Sequence, residues 1–201
     1  MVKTSFPSSC SGLARSRPAA ALLVLMVLAT TTGADEKAEP ASGPLRVCPD
    51  NPRYFADASG RAVYLTGSHI WQNLKDLGEG DPPPVFDYDD YLDRMRLYGH
   101  NFIRLWTWEL SRYSYKDTGG KSHYAAPFPW PRTGSGKALD GKPRFDLAKF
   151  DAAYFERLRT RVIRARDRDI YVSIMLFEGH GMQFSNPPWC WDGHPFNKAN
   201  N

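Results

Sequence analysis

The sequence has little cysteine, no long apolar run and, beyond its first 34 residues, almost no net charge. Its longest apolar run covers 11 residues, Ala19–Ala29, whereas a helix that crosses a membrane needs about 20. The chain also lacks the cysteine and histidine spacing of zinc sites and a glycine-rich phosphate turn after its first predicted strand. These absences disfavour a zinc-stabilised domain and a doubly wound nucleotide-binding fold, and we expect neither a metal nor a cofactor.

The apolar run lies in a segment that has the order of a secretory signal peptide. Three basic residues precede the run, and the small residues Thr-Gly-Ala at 32–34 follow it as a cleavage site. We therefore expect residues 1–34 to be removed and the protein to be secreted, into the extracellular space or the periplasm; an uncleaved anchor is the alternative. Residues 35–44 are acidic, contain proline and predict a flexible spacer.

The charge of the remaining chain is nearly balanced. The whole sequence has 26 basic and 22 acidic residues, and removing the three basic residues of segment 1–34 leaves 23 and 22. The densest basic run, residues 157–168, falls on a predicted helix where apolar residues interrupt the arginines, which is typical of a solvated helix face. We therefore expect no nucleic-acid partner, and no stable membrane association once the leader is cleaved.

Two cysteines, Cys48 and Cys190, remain after the leader. Export permits a disulfide between them, but the sequence cannot show whether their Cα atoms come within bonding distance. A Cys48–Cys190 bridge and two unbridged cysteines are both open.

The order of predicted elements indicates an α/β fold. Residues 53–67 predict two short strands around a turn, and apolar residues at helical spacing predict a helix from about Asp87 to Gly99. The run NFIRLWTWE, 101–109, predicts a strand buried on both faces. A second helix follows over about 147–168, and a third buried strand over 170–177.

The connections between these elements are unequal in length. Those that follow strands are long, whereas those that follow helices have only one or two residues, against a usual range of about two to six. Repeated strand, helix and strand units form parallel sheets, so the long loops collect at the carboxyl ends of the strands. That arrangement is typical of barrel enzymes, and it makes this edge the expected ligand site.

Three segments carry a resemblance to a known family: YFADASGRAVYLTGSHIW, FIRLWTWE and FDLAKFDAAYFERLRTRVIRARDRDIYVSIMLFEGHG. Together they resemble the opening third of a secreted clan A glycoside hydrolase of the cellulase and mannanase type, family five. The resemblance covers residues 45–201. It implies a partial (β/α)8 TIM barrel, with the first three strands and two helices after a short β-hairpin, and an O-glycosyl hydrolase, a monomer when intact, that binds carbohydrate and uses a retaining two-carboxylate mechanism.

The resemblance also assigns expected roles to several residues. Arg104 matches an arginine that hydrogen-bonds the nucleophile; an arginine paired inside the barrel without a catalytic part is the alternative. His69 and Trp71 match the rim of the sugar site. Trp106 and Trp108 share the face of Arg104 by the period of two and are candidate sugar platforms, because flat indole rings suit the C–H faces of pyranoses.

Further aromatic residues follow the predicted strands, and they either contact sugar or pack the long loops onto the barrel. These rings are Tyr113, Tyr115, Tyr124, Phe128, Trp130, Trp189 and Trp191.

Glu109 and Glu178 each follow a predicted strand and could approach the separation of about 5 Å found in retaining glycosidases. The resemblance instead places the acid/base after strand four and the nucleophile after strand seven. We therefore expect both catalytic glutamates beyond Asn201, and Glu109, Glu178 and His180 to bind sugar or support loops, with the asparagines at 200 and 201 as weaker candidates.

Chain length bears on the same question. A complete barrel needs about 250 residues, whereas 167 follow the leader. We therefore expect an inactive fragment whose open strand edges promote aggregation. Two alternatives are a noncatalytic carbohydrate-binding barrel protein and a metal-dependent barrel hydrolase; the second usually has paired histidines on its first strand, where this chain has His69 alone.

Overall fold

The computed structural model describes residues 39–71, 73–114, 119–183 and 189–201. The expected signal peptide, Tyr115 and the ring of Trp189 lie outside the described residues. In chain order, the described elements are β1 (Arg46–Val47), β2 (Phe55–Ala56), β3 (Ala62–Val63), β4 (Asp76–Gly78), α1 (Tyr88–Leu97), β5 (Phe102–Leu105), β6 (Arg112–Tyr113), β7 (His123–Ala126), β8 (Gly134–Lys137), β9 (Pro143–Arg144), α2 (Ala152–Arg166), β10 (Tyr171–Ile174), α3 (His180–Gln183) and α4 (Trp189–Asp192).

A parallel pair of strands, β5 and β10, forms the centre of the fold. Their register runs from Phe102 opposite Tyr171 to Leu105 opposite Ile174. On the other edge of β5, Gly67 forms an isolated parallel bridge with Phe102. The predicted parallel pairing of the second and third strands is confirmed, and the first strand contributes a single bridge. A closed barrel is not formed by the described residues and stays a prediction.

Only one face of β5 is buried. Ile103 and Leu105 are 1% and 0% exposed, whereas Arg104 is exposed on the other face. The helices α1 and α2 cover the first face, and their apolar residues form one core with Ile103 and Leu105. The prediction of a strand buried on both faces is wrong at Arg104, because α1 and α2 pack only on the face of Ile103 and Leu105. The third strand was also expected to be buried, yet Leu176 is 72% exposed.

The two long helices begin at aspartate caps. Asp87 caps α1 by accepting from the backbone N–H of Asp90, and Gly99, with φ of 69°, follows the helix end, which confirms that helix. Asp151 caps α2 by accepting from Ala153 and Tyr154, so this helix starts later than the predicted position 147. Phe150 precedes the helix and Phe155 lies on it, and both rings are exposed.

Arginines in α2 and just after it pair with aspartates of α1. Arg164 pairs with Asp89 at 2.6 Å and Arg168 with Asp93 at 2.7 Å. Arg161 departs from the predicted solvated face, because it is buried, lies 4.5 Å from the centre of the Tyr88 ring and donates to a backbone carbonyl. Burial lowers the pKa of Arg161 to about 10.

The long loops contain small antiparallel sheets that the sequence did not predict. Strands β4, β7 and β6 form one sheet in that order, β8 pairs with β9, and the predicted hairpin of β2 and β3 is confirmed with β1 added to it. A second core lies beneath these loops and contains Trp108, Leu110, Tyr113, Ala125, Phe128, Phe145 and Cys190.

Both cysteines of interest are buried. Cys48 follows β1, and its N–H donates to the carbonyl of Tyr54. Cys190 belongs to the second core. No disulfide joins them within the described parts of the chain.

None of the described helices is both long and apolar enough to span a membrane.

Candidate functional site

The carboxyl ends of β5 and β10 bring together most of the predicted site residues. Five of these side chains form a contacting set, which we call the aromatic layer: His69, Trp71, Trp106, Trp108 and His180. Trp71 stacks on Trp108 with ring centres 5.3 Å apart and planes 20° apart, and Trp108 stacks on His180 at 6.1 Å. Trp106 lies 6.1 Å from Trp71 and 5.5 Å from His69. The predicted gathering of these rings is therefore observed.

The rings of the aromatic layer differ in exposure. Trp71 is 48% exposed, Trp106 is half-buried and Trp108 is 2% exposed. The indole N–H groups of Trp106 and Trp108 are buried and have no hydrogen-bond partner among the described residues. Trp108 also has a φ of 42°, which is unusual for a bulky residue. The layer therefore presents the exposed ring of Trp71 beside two indoles whose N–H groups are buried and have no partner among the described residues.

Two buried carboxylates lie next to the aromatic layer. Glu109 is 1% exposed and Glu178 is 2% exposed. The backbone N–H of Glu178 donates to Oε2 of Glu109 at 3.3 Å, so the two residues are in direct contact. Oε1 of Glu178 accepts from the backbone N–H of His180. One oxygen of each carboxylate, Oε1 of Glu109 and Oε2 of Glu178, lacks a partner among the described residues.

His194 contacts the carboxylate of Glu109, and it was not predicted as a site residue from the sequence. It is fully buried, its Nε2 lies 3.2 Å from Oε2 of Glu109, and its Nδ1 accepts from the backbone N–H of Phe196 at 3.1 Å. Because Nδ1 accepts that bond, Nε2 is the ring nitrogen that donates to Glu109. The contact is therefore a hydrogen bond to the carboxylate, and it fixes one orientation of both side chains.

Lys75, also missed, brings a cation into the same buried region. Its Nζ donates to the carbonyl of Trp108 at 2.7 Å and lies 3.4 Å from the centre of the Phe128 ring. Burial lowers the pKa of Lys75 well below its ordinary value of 10.5, although Glu109 and Glu178 oppose that change.

The ionisation of Glu178 depends on its burial. Burial raises the pKa of this carboxyl above its ordinary value of 4.5, with a further contribution from the charge of Glu109. The backbone N–H of His180 acts in the opposite direction. Glu178 also lines an open cleft of about 240 Å³ with Trp106 and His180. The site thus places a weakened acid beside an aromatic surface.

Arg104 takes a different position from the one expected. Its guanidinium is exposed, and no carboxylate pairs with it among the described residues. The expected burial of this arginine is wrong because α1 and α2 pack on the opposite face of β5, and its role in orienting a nucleophile stays a prediction.

The other loop aromatics pack the loops. Phe128 lies edge-on to Phe145 at 5.1 Å, and Trp130 lies 5.0 Å from Phe196. Tyr113 lies 5.2 Å from Trp108, and Trp191 stacks on His194 at 5.4 Å. Tyr124 is half-buried on β7. These contacts favour the packing alternative for this group.

Asn200 is also structural. It is 2% exposed, its amide donates to the carbonyls of Asp192 and His194, and its Oδ1 accepts from the N–H of Leu139. Among the residues that the structure describes, no group of three or more histidine, cysteine or acidic side chains is arranged to hold a metal.

Comparison of the chain with models of protein families, with curated proteins and with solved structures gives no match in any of the three.

Proposed function

We propose that this chain carries the sugar-binding surface of a secreted O-glycosyl hydrolase, which acts on a polysaccharide or oligosaccharide by a retaining two-carboxylate mechanism in the intact protein. For the intact domain we propose a TIM barrel in which β5 and β10 are neighbouring strands.

The aromatic layer is the observation that carries this proposal. Trp71 offers an exposed ring face at the carboxyl ends of two parallel strands, and the half-buried ring of Trp106 lies beside it. The C–H faces of pyranose rings pack on aromatic rings of this kind. The adjoining Glu178 supplies a carboxyl group at the cleft.

We assign Glu109 and Glu178 to the support of this surface. Glu109 is enclosed by His194 and by the backbone of Glu178, which leaves it 1% exposed. A nucleophile must reach the anomeric carbon, and such enclosure opposes that approach. The same enclosure gives some support to the alternative of a noncatalytic carbohydrate-binding protein.

Binding of soluble polysaccharides tests the sugar-binding part of the proposal. Affinity electrophoresis with carboxymethylcellulose, galactomannan and xylan should retard the wild-type chain. Trp71→Ala should lose most of that retardation because it removes the exposed ring face. Tyr98→Ala is the matched control, since Tyr98 is 74% exposed but lies at the opposite, amino end of β5. Retardation that is equal in both variants would refute the assignment of the surface.

Hydrolysis separates the two candidate functions. The intact protein, expressed from its native reading frame, should release reducing sugar whose anomeric configuration is retained, as followed by proton NMR. An intact protein that binds polysaccharide but releases no sugar would favour the noncatalytic alternative.

A further inference from the structure

The chain that follows β5 has no paired strand among the described residues and leads to the aromatic layer. On one side, the ladder with β10 ends where the N–H of Met175 donates to the carbonyl of Leu105. On the other side, the parallel bridge of Gly67 reaches no further than Phe102. The backbone groups of residues 104–108 on that second edge therefore need other partners.

Asn73 supplies the first of these partners. Its Nδ2 donates to the carbonyl of Arg104 at 2.5 Å, and its Oδ1 accepts from the N–H of Trp106 at 3.1 Å. In a parallel ladder, a residue bonds to the two residues that flank its partner on the adjacent strand. Its N–H donates to the carbonyl of the residue before that partner, and its carbonyl accepts from the N–H of the residue after it. The Asn73 amide makes this same pair of bonds around Leu105, so a side chain replaces a strand residue.

Lys75 continues the pattern two residues further along. Its ammonium donates to the carbonyl of Trp108 at 2.7 Å. Trp108 is the residue with the unusual φ of 42°, and it stacks on Trp71. Both Asn73 and Lys75 are fully buried, so neither side chain faces a ligand directly.

We propose that Asn73 and Lys75 are positioning residues, whose side chains act in place of a neighbouring strand and fix the placement of Trp106 and Trp108 for sugar binding. The inference rests on the proposed function for its last step only. The placement of the rings is a property of the sugar-free protein and is tested separately.

The test compares Asn73→Ala and Lys75→Met with Asn101→Ala in the full chain. Asn101 is a matched control because its amide also makes two backbone bonds, to Thr66 and Tyr64, but at the amino end of β5. The first readout is far-ultraviolet circular dichroism, in which the stacked indoles of Trp71 and Trp108 give an exciton signal; Trp71→Phe identifies that signal. We expect the signal to be lost in the Asn73 and Lys75 variants and kept in the Asn101 variant.

The second readout is affinity for the polysaccharide that the wild type binds. We expect Asn73→Ala and Lys75→Met to weaken binding about tenfold or more, and Asn101→Ala to change it less than about twofold. If the wild type binds none of the polysaccharides, the proposed function fails, and the dichroism still decides the positioning role. Folded Asn73 and Lys75 variants that keep the exciton signal would overturn the inference.

A measurement on the wild type covers the case in which the variants do not fold. The N–H of Trp106 should exchange slowly with solvent, because Asn73 holds it, and as slowly as the ladder amide of Met175. Rapid exchange of the Trp106 amide in the folded wild type would overturn the inference as well.

Discussion

Replacement of His194 by alanine tests the buried network under the aromatic layer most severely. The substitution removes the hydrogen bond to Glu109 and the bond from the N–H of Phe196, and it leaves a cavity beside Trp191. A hydrogen bond to a charged group contributes about 1.5–3 kcal/mol and a neutral one about 1 kcal/mol. With the lost packing, we expect the free energy of unfolding to fall by about 3–5 kcal/mol.

Urea denaturation followed by circular dichroism measures this loss, provided that the unfolding is two-state. His100→Ala is the control, because the side chain of half-buried His100 makes one long hydrogen bond among the described residues, 3.3 Å between Nδ1 and the hydroxyl of Thr66, and its loss should cost less than about 1 kcal/mol.

A double-mutant cycle with Glu109→Gln isolates the pair. We expect a coupling energy of about 1.5–3 kcal/mol between positions 194 and 109. A loss below about 1 kcal/mol in His194→Ala, or a coupling near zero, would show that the network does not hold Glu109 as described.

Three further predictions concern the carboxylate, the first bridge and the open edge. Burial raises the pKa of Glu178, so the folded protein keeps this proton to higher pH than the unfolded chain does. The stability of the wild type relative to Glu178→Gln should therefore fall as pH rises from about 4.5 through the folded pKa. A difference in urea stability between the two proteins that stays constant with pH would contradict this. Gly67→Ala should lose about 2 kcal/mol or more, because its Cβ would collide with the carbonyl of Phe102, whereas Gly179→Ala should change the urea midpoint little. Leu176→Lys should raise the monomer fraction in light scattering, because it places a charge beside the edge of β10 that has no strand partner among the described residues, and an unchanged fraction would refute that role.

The parallel strands were predictable because their signals are local. Apolar runs, aspartate caps and the glycine at the end of α1 determine β5, α1 and β10 with little help from distant residues. The turn between α2 and β10 is local as well, because Asp169 adopts a left-handed conformation there with φ of 57°. The burial of these elements depends instead on what covers them, which is why Arg104 and Leu176 were wrongly expected to be buried.

The aromatic half of the site was predictable, and its polar half was not. Tryptophans next to strand ends indicate a ligand surface by their type and position alone. Lys75 and His194 are separated from Glu109 by 34 and 85 residues and occur in segments without a regular period, so only the folded loops bring them together. The short strands β4, β6 and β7 that carry these loops have two to four residues each, which is too short for an alternating pattern to be detected.

Indole N–H signals in proton–nitrogen NMR spectra test the central claim, that sugar binds on the aromatic layer. On titration with the oligosaccharide of whichever polysaccharide retards the chain, the signals of Trp71 and Trp106 should shift together. Trp130, whose ring packs on Phe196, provides the internal reference and should stay unchanged. Shifts at Trp130 with none at Trp71 and Trp106 would contradict the account.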